Sequence, residues 1–107
     1  MKKFIIALGL IASFSSYAGD VRIDDLCKGK DIKDPSICAE VISEQFDAAY
    51  VWGEENAHLI KRQKQAKREE FANSEPMLHL CSVAPDKARC ERLRGYLMEE
   101  FDAGIGL

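Results

Sequence analysis

Cys27, Cys38, Cys81 and Cys90 are the residues of this chain with the most chemistry open to them, and their spacing separates the alternatives. Zinc sites in small domains draw their cysteine ligands from pairs two to four residues apart. Ten residues intervene between the first two cysteines here, and eight between the last two. That spacing suits disulfides, and four cysteines allow three pairings. The favoured set is Cys27–Cys38 with Cys81–Cys90, since residues 28–35 and 83–86 hold helix-breaking residues that let the chain turn back. A crossed set, Cys27–Cys90 with Cys38–Cys81, would instead staple two antiparallel helices.

Other catalytic chemistry is sparse. The two histidines, His58 and His79, have no partner at metal-ligand spacing. His58 reads as part of a solvated helix face, and His79 as part of a short apolar turn. The chain has no Gly-rich phosphate loop, no nucleophile elbow and no His-Glu-x-x-His pair. Cysteines committed to disulfides leave no thiol nucleophile. Glu54-Glu55 and Glu99-Glu100 are adjacent pairs, and helical neighbours diverge by about 100°, so neither pair serves one substrate face. The expectation is a non-enzyme without metal or cofactor.

Two features suit partner binding instead. Residues 61–68 carry five positive charges in eight positions: Lys61, Arg62, Lys64, Lys67 and Arg68. In an otherwise acidic chain this run could dock an acidic partner or the anionic outer face of a membrane, and its side chains read as solvent-facing. It holds no aromatic residue, which argues against base stacking and membrane insertion. Trp52 is the one tryptophan. Such a residue serves as an interface anchor or as core. The loop Lys28–Pro35 is a further candidate contact surface.

The N-terminus indicates where this would happen. Lys2-Lys3, an apolar run from Phe4 to Phe14 and the small-x-small Ser16-Tyr17-Ala18 read as a secretory signal, with cleavage between Ala18 and Gly19. The run is far shorter than the ~20 residues a spanning helix needs. Export to a bacterial periplasm would let the cysteines oxidise. Cleavage would leave 89 of the 107 residues as a single helical domain, 19–107, and move the net charge from −3 to −5. A mildly acidic domain of this kind is a poor general binder of nucleic acid. At this size the apolar core supplies only a few kcal/mol, so covalent staples matter.

The elements that must position these residues are helical. Asp34-Pro35 is a helix start, because the carboxylate can cap free amides and proline fits the first helical position. Ile37, Cys38, Val41, Ile42, Phe46, Ala49 and Tyr50 then recur at helical spacing, predicting a helix from Pro35 to about Trp52. Gly53 ends or weakens it. Glu54-Glu55 begins a second stretch running to about Phe71, with a thin apolar face. Asn73–Pro76 breaks that stretch before a short helical turn over Met77–Cys81. Pro85-Asp86 starts the last helix, on which Cys90, Leu93, Leu97, Phe101 and Ile105 share a face. Gly104 and Gly106 mark its fraying end. The predicted class is all-α: three or four helices, stapled by disulfides. Leu26-Cys27, a loop and Cys38 at the head of a helix are echoed by Leu80-Cys81, a loop and Cys90.

Asp25-Leu26-Cys27, Cys38, Val41-Ile42 and Asp47-Ala48 resemble the opening of the Rap1a/Tai family, over about 25 residues. That resemblance implies a small exported immunity protein that blocks peptidoglycan amidases. Ile37-Cys38 with the second cysteine pair is fainter in its similarity to LprI-like lysozyme inhibitors. The format is also similar to phage-encoded periplasmic proteins of the Spackle type. What these resemblances imply is a periplasmic protein that binds another protein, a cell-wall-degrading enzyme such as a peptidoglycan hydrolase, and inhibits it. The alternatives are a phage or plasmid lysis-inhibition or superinfection-exclusion factor, or a periplasmic stress or chaperone-like binding protein.

Overall fold

The computed structural model describes residues 20–107, and the predicted export segment, residues 1–18, lies outside them. Every regular element among the described residues is a helix: α1 Val21–Leu26, α2 Pro35–Glu55, α3 Lys61–Ala72, α4 Glu75–Leu78 and α5 Lys87–Ile105. The all-α class is therefore as predicted, with α1 and α4 as short pieces beside three longer helices. No helix among the described residues is long and apolar enough to cross a membrane. The chain divides into two compact units, Met1–Ser43 and Glu44–Leu107, and α2 runs through the division.

One local build occurs twice. A short helix precedes a cysteine, a loop follows, an aspartate caps a long helix, and the fourth residue of that helix is the second cysteine. In the first copy α1 leads to Cys27, which is bonded to Cys38, with Cα atoms 5.7 Å apart. In the second, α4 precedes Cys81, which is bonded to Cys90, with Cα atoms 5.6 Å apart. The caps explain where the long helices begin. Asp34 Oδ1 accepts the amides of Ser36 at 3.0 Å and Ile37 at 3.3 Å, and Asp86 Oδ1 accepts that of Arg89 at 3.0 Å. Each carboxylate satisfies first-turn donors that have no partner within the helix. The uncrossed disulfide pairing follows from this geometry, because each cap returns the chain to the cysteine it has just left.

In the first unit Asp20 caps α1, accepting from the Arg22 amide at 2.9 Å and from its guanidinium at 3.1 and 3.2 Å. Partial burial raises the Asp20 pKa, but the hydrogen bonds and charge of Arg22 outweigh it and hold the carboxyl below its usual value. Ile23, Leu26, Cys27 and Ile42 are the buried apolar residues of this unit among the described residues.

The second unit contains the larger core: Phe46, Ala49, Phe71, Met77, Cys81, Leu97, Phe101 and Ile105. Phe101 and Ile105 are fully buried, and Phe101 stacks on Phe71 with ring centroids 4.5 Å apart. Removing a side chain of this size from water contributes roughly 1.5–3 kcal/mol, so the spacing of Leu97, Phe101 and Ile105 on α5 supplies much of the unit's cohesion. The predicted apolar face of α2 is only partly buried. Ile42, Phe46 and Ala49 are inside, whereas Ile37, Val41 and Tyr50 are exposed.

Three expected boundaries are corrected. Gly53 does not end α2, which continues to Glu55, and Glu54-Glu55 close that helix instead of opening the next. Asn56 stops it: its Nδ2 donates to Trp52 O at 2.9 Å and its amide to Gly53 O at 2.9 Å. His58 accordingly sits in the following turn and not on a helix. Pro76 lies inside the first turn of α4, where a missing amide costs nothing. Gly104 is an ordered residue of α5, and the helix ends at Gly106, whose φ of 88° is the left-handed value that glycine adopts without strain.

Candidate functional site

Two concave surfaces of the second unit share no lining residue. The first is an apolar groove of about 260 Å³ beside Trp52, lined by Ala48, Trp52, Phe71, Pro76, Met77 and Leu97 among others. Trp52 meets Phe71 edge-on at 5.0 Å and Phe101 at 6.4 Å, yet 37% of its surface remains exposed. It is thus half core and half surface, between the two roles open to it from the sequence. Gln45 Oε1 is buried at this groove and has no hydrogen-bond partner among the described residues. Such an acceptor favours a ligand that brings a donor.

The second surface is a polar cleft of about 530 Å³ between α3 and the end of α5, lined by Lys61, Gln65, Arg68, Glu69, Asp102 and Leu107. Here the basic run divides. Lys61 and Arg62 are exposed and enter no ion pair among the described residues. Lys64 is half-buried, with Nζ 3.1 Å from where a Cβ on Gly106 would lie. Lys67 Nζ pairs with Glu70 at 3.4 Å, one helical turn on. Arg68 Nε donates to Asp102 Oδ1 at 2.7 Å, tying α3 to α5. The hydrogen bond to Asp102 raises the Arg68 pKa further above its already high value, so this cation stays charged. Of the five cations read as solvent-facing, Lys61 and Arg62 are exposed and Lys64, Lys67 and Arg68 are half-buried. Phe71 has to reach the core, and the helical repeat that buries it turns Lys64, Lys67 and Arg68 partly inward.

The other predicted residues lie apart. The loop Lys28–Pro35 belongs to the first unit, where Ile32 N–H donates to Gly29 O at 3.0 Å and Lys28, Lys30 and Lys33 point outward. His58 and His79 are exposed, and all four cysteines are bonded. No group of three or more His, Cys, Asp or Glu side chains among the described residues could hold a metal ion. The groove residues Pro76 and Met77 and the Arg68 partner Asp102 had no signal in the sequence. Each acquires its role only through a neighbour distant along the chain.

No curated protein and no solved structure matches this chain. A protein-family model does, from residue 1 to residue 107. It is not a model of Rap1a/Tai proteins or of lysozyme inhibitors, and it overturns the resemblances drawn from about 25 residues. The reading as an immunity-type inhibitor of a cell-wall enzyme is corrected with them, and the match lends no support to the lysis or chaperone alternatives. Short cysteine-helix segments of this kind follow from loop and cap geometry alone, so they recur without common function. A protein partner is still what the match implies, although a peptidoglycan hydrolase is not. Matched along its whole length, the chain belongs to the valyl–tRNA ligase modifier family.

Proposed function

We propose that this chain binds a valyl–tRNA ligase and changes its activity by docking, without chemistry of its own. The observation that carries this is the family match over residues 1–107. The side chains support docking over catalysis, since all four cysteines are bonded and both histidines are exposed. The half-exposed Trp52 beside an apolar groove supplies a rigid aromatic anchor of the type that concentrates binding energy. The Cys81–Cys90 disulfide, which holds α5 at its first turn, helps keep the second unit ordered before binding, which lowers the entropic cost of association. The direct test measures binding of the purified chain to a purified valyl–tRNA ligase, together with the rate of valine transfer to tRNA. Saturable binding and a changed rate support the reading. An unchanged rate with no binding defeats it.

Residues 1–18 support a separate proposal, that the chain is exported and processed before Gly19. The two readings place the protein in different compartments, because a tRNA ligase works where translation occurs and disulfides persist in oxidising surroundings. Cell fractionation followed by intact mass separates them. Chain recovered with the ligase as unprocessed residues 1–107 upholds the first. A periplasmic product beginning at Gly19 with two disulfides upholds the second.

A further inference from the structure

We propose that the outer edge of α3, where Lys61 and Arg62 enter no ion pair among the described residues beside the α3–α5 cleft, docks an acidic segment of a protein partner. This deepens the reading above and rests on it for the identity of that partner.

Of the five cations in the run, Lys67 and Arg68 are neutralised by Glu70 and Asp102, so the net positive field comes from Lys61, Arg62 and Lys64. The cleft next to them is open and polar, and its wall carries Lys61 and Arg68 together with Glu69 and Asp102, so the excess of positive charge lies at the Lys61–Arg62 edge. Two apolar side chains frame the charges: Ile60 is 59% exposed and Leu107 is 45% exposed. Carboxylates with an interspersed apolar residue fit that mixture. A nucleic acid fits it less well. The small excess of cations here neutralises few phosphates, and affinity for a polyanion depends on how many are neutralised. The run presents no aromatic ring for a base, and the net charge of the whole chain, −3, repels an extended polyanion.

The test uses the purified, oxidised protein and two probes of similar charge, a ten-residue glutamate peptide and a ten-nucleotide single-stranded RNA. Amide chemical shifts followed during titration at low salt report where each probe binds. The expected result is peptide-induced shifts confined to residues 60–68 and 102–107, with at least tenfold weaker binding for Lys61→Glu/Arg62→Glu. A milder variant, Lys61→Gln/Arg62→Gln, guards against misfolding and should weaken binding by a smaller factor. Lys28→Glu/Lys30→Glu imposes the same change in net charge on the first unit and should leave the shifts in place. Equal weakening by the two Glu pairs, or tighter binding of the RNA, would overturn the proposal. With a valyl–tRNA ligase, Lys61→Glu/Arg62→Glu should slow association by about tenfold at low salt, an effect that fades at high salt. If wild type fails to bind the ligase, the functional reading falls while the peptide titration still decides the surface. If the ligase binds and the double variant associates as fast as wild type, the surface falls and the functional reading stands.

Discussion

Gly53 on α2 and Gly104 on α5 face each other where the two helices cross. A Cβ built on Gly53 would press on Phe101 O and lie 2.8 Å from Ile105 N, and one built on Gly104 would press on Tyr50 O and lie 3.0 Å from Glu54 N. Each glycine thus seats the backbone of the opposite helix, and this close approach brings Phe101 within reach of Trp52. Read along the chain, both glycines resemble helix-ending residues. In three dimensions they are the contact.

Alanine at either position should therefore destabilise the protein, although alanine is the better helix former by about 1 kcal/mol. The obstacle is backbone, which cannot swing aside, so Gly53→Ala and Gly104→Ala should each cost about 1–3 kcal/mol or more. Gly95 is the control. Nothing lies within 4 Å of its notional Cβ, so Gly95→Ala should be neutral or stabilising by up to about 1 kcal/mol. Urea unfolding of the three variants checks the order, and a stable Gly53→Ala protein would refute the crossing.

The aromatic cluster gives a graded expectation. Phe101 is fully buried and stacked on Phe71, so Phe101→Ala should cost about 3–5 kcal/mol. Trp52→Ala should cost less despite the larger side chain, because more than a third of Trp52 is already exposed to water. Thermal unfolding followed by helicity ranks the two, and the reverse order would place Trp52 in the core.

Each disulfide closes a short loop, with sequence separations of 11 and 9. By the chain-entropy estimate such loops contribute roughly 3 kcal/mol apiece. Cys81→Ala/Cys90→Ala should accordingly lower unfolding stability by about that amount while retaining helicity. Non-reducing peptide mapping should recover Cys27 linked to Cys38 and Cys81 to Cys90. A fragment joining Cys27 to Cys90 would contradict the fold.

Asp20 supplies a pH-dependent term. Its folded pKa lies below the unfolded value, so its contribution is fully present above the unfolded pKa of about 3.9 and is lost as pH falls through the lower folded pKa. Asp20→Ala should thus cost about 1 kcal/mol near neutral pH and progressively less on acidification. Unfolding curves for wild type and variant at several pH values test this, and a gap that widens toward acid would contradict it.

The all-α class, the starts of α2 and α5 and the favoured disulfide pairing were legible from residue order alone, because each depends on local chemistry. Asp34-Pro35 and Asp86 act on amides two or three residues away, and the cysteine loops close over about ten. The core face of α5 was legible for the same reason, since Leu97, Phe101 and Ile105 repeat at helical spacing. The end of α2 was not. Its continuation through Gly53 depends on the backbone of α5, some fifty residues later in the chain. The basic run was visible as charge, but which cations stay free was decided by the burial of Phe71 and by Asp102 reaching Arg68. Charge and periodicity are properties of neighbours in sequence. Close approach and ion pairing are properties of neighbours in space, and for this chain tertiary packing alone selected them.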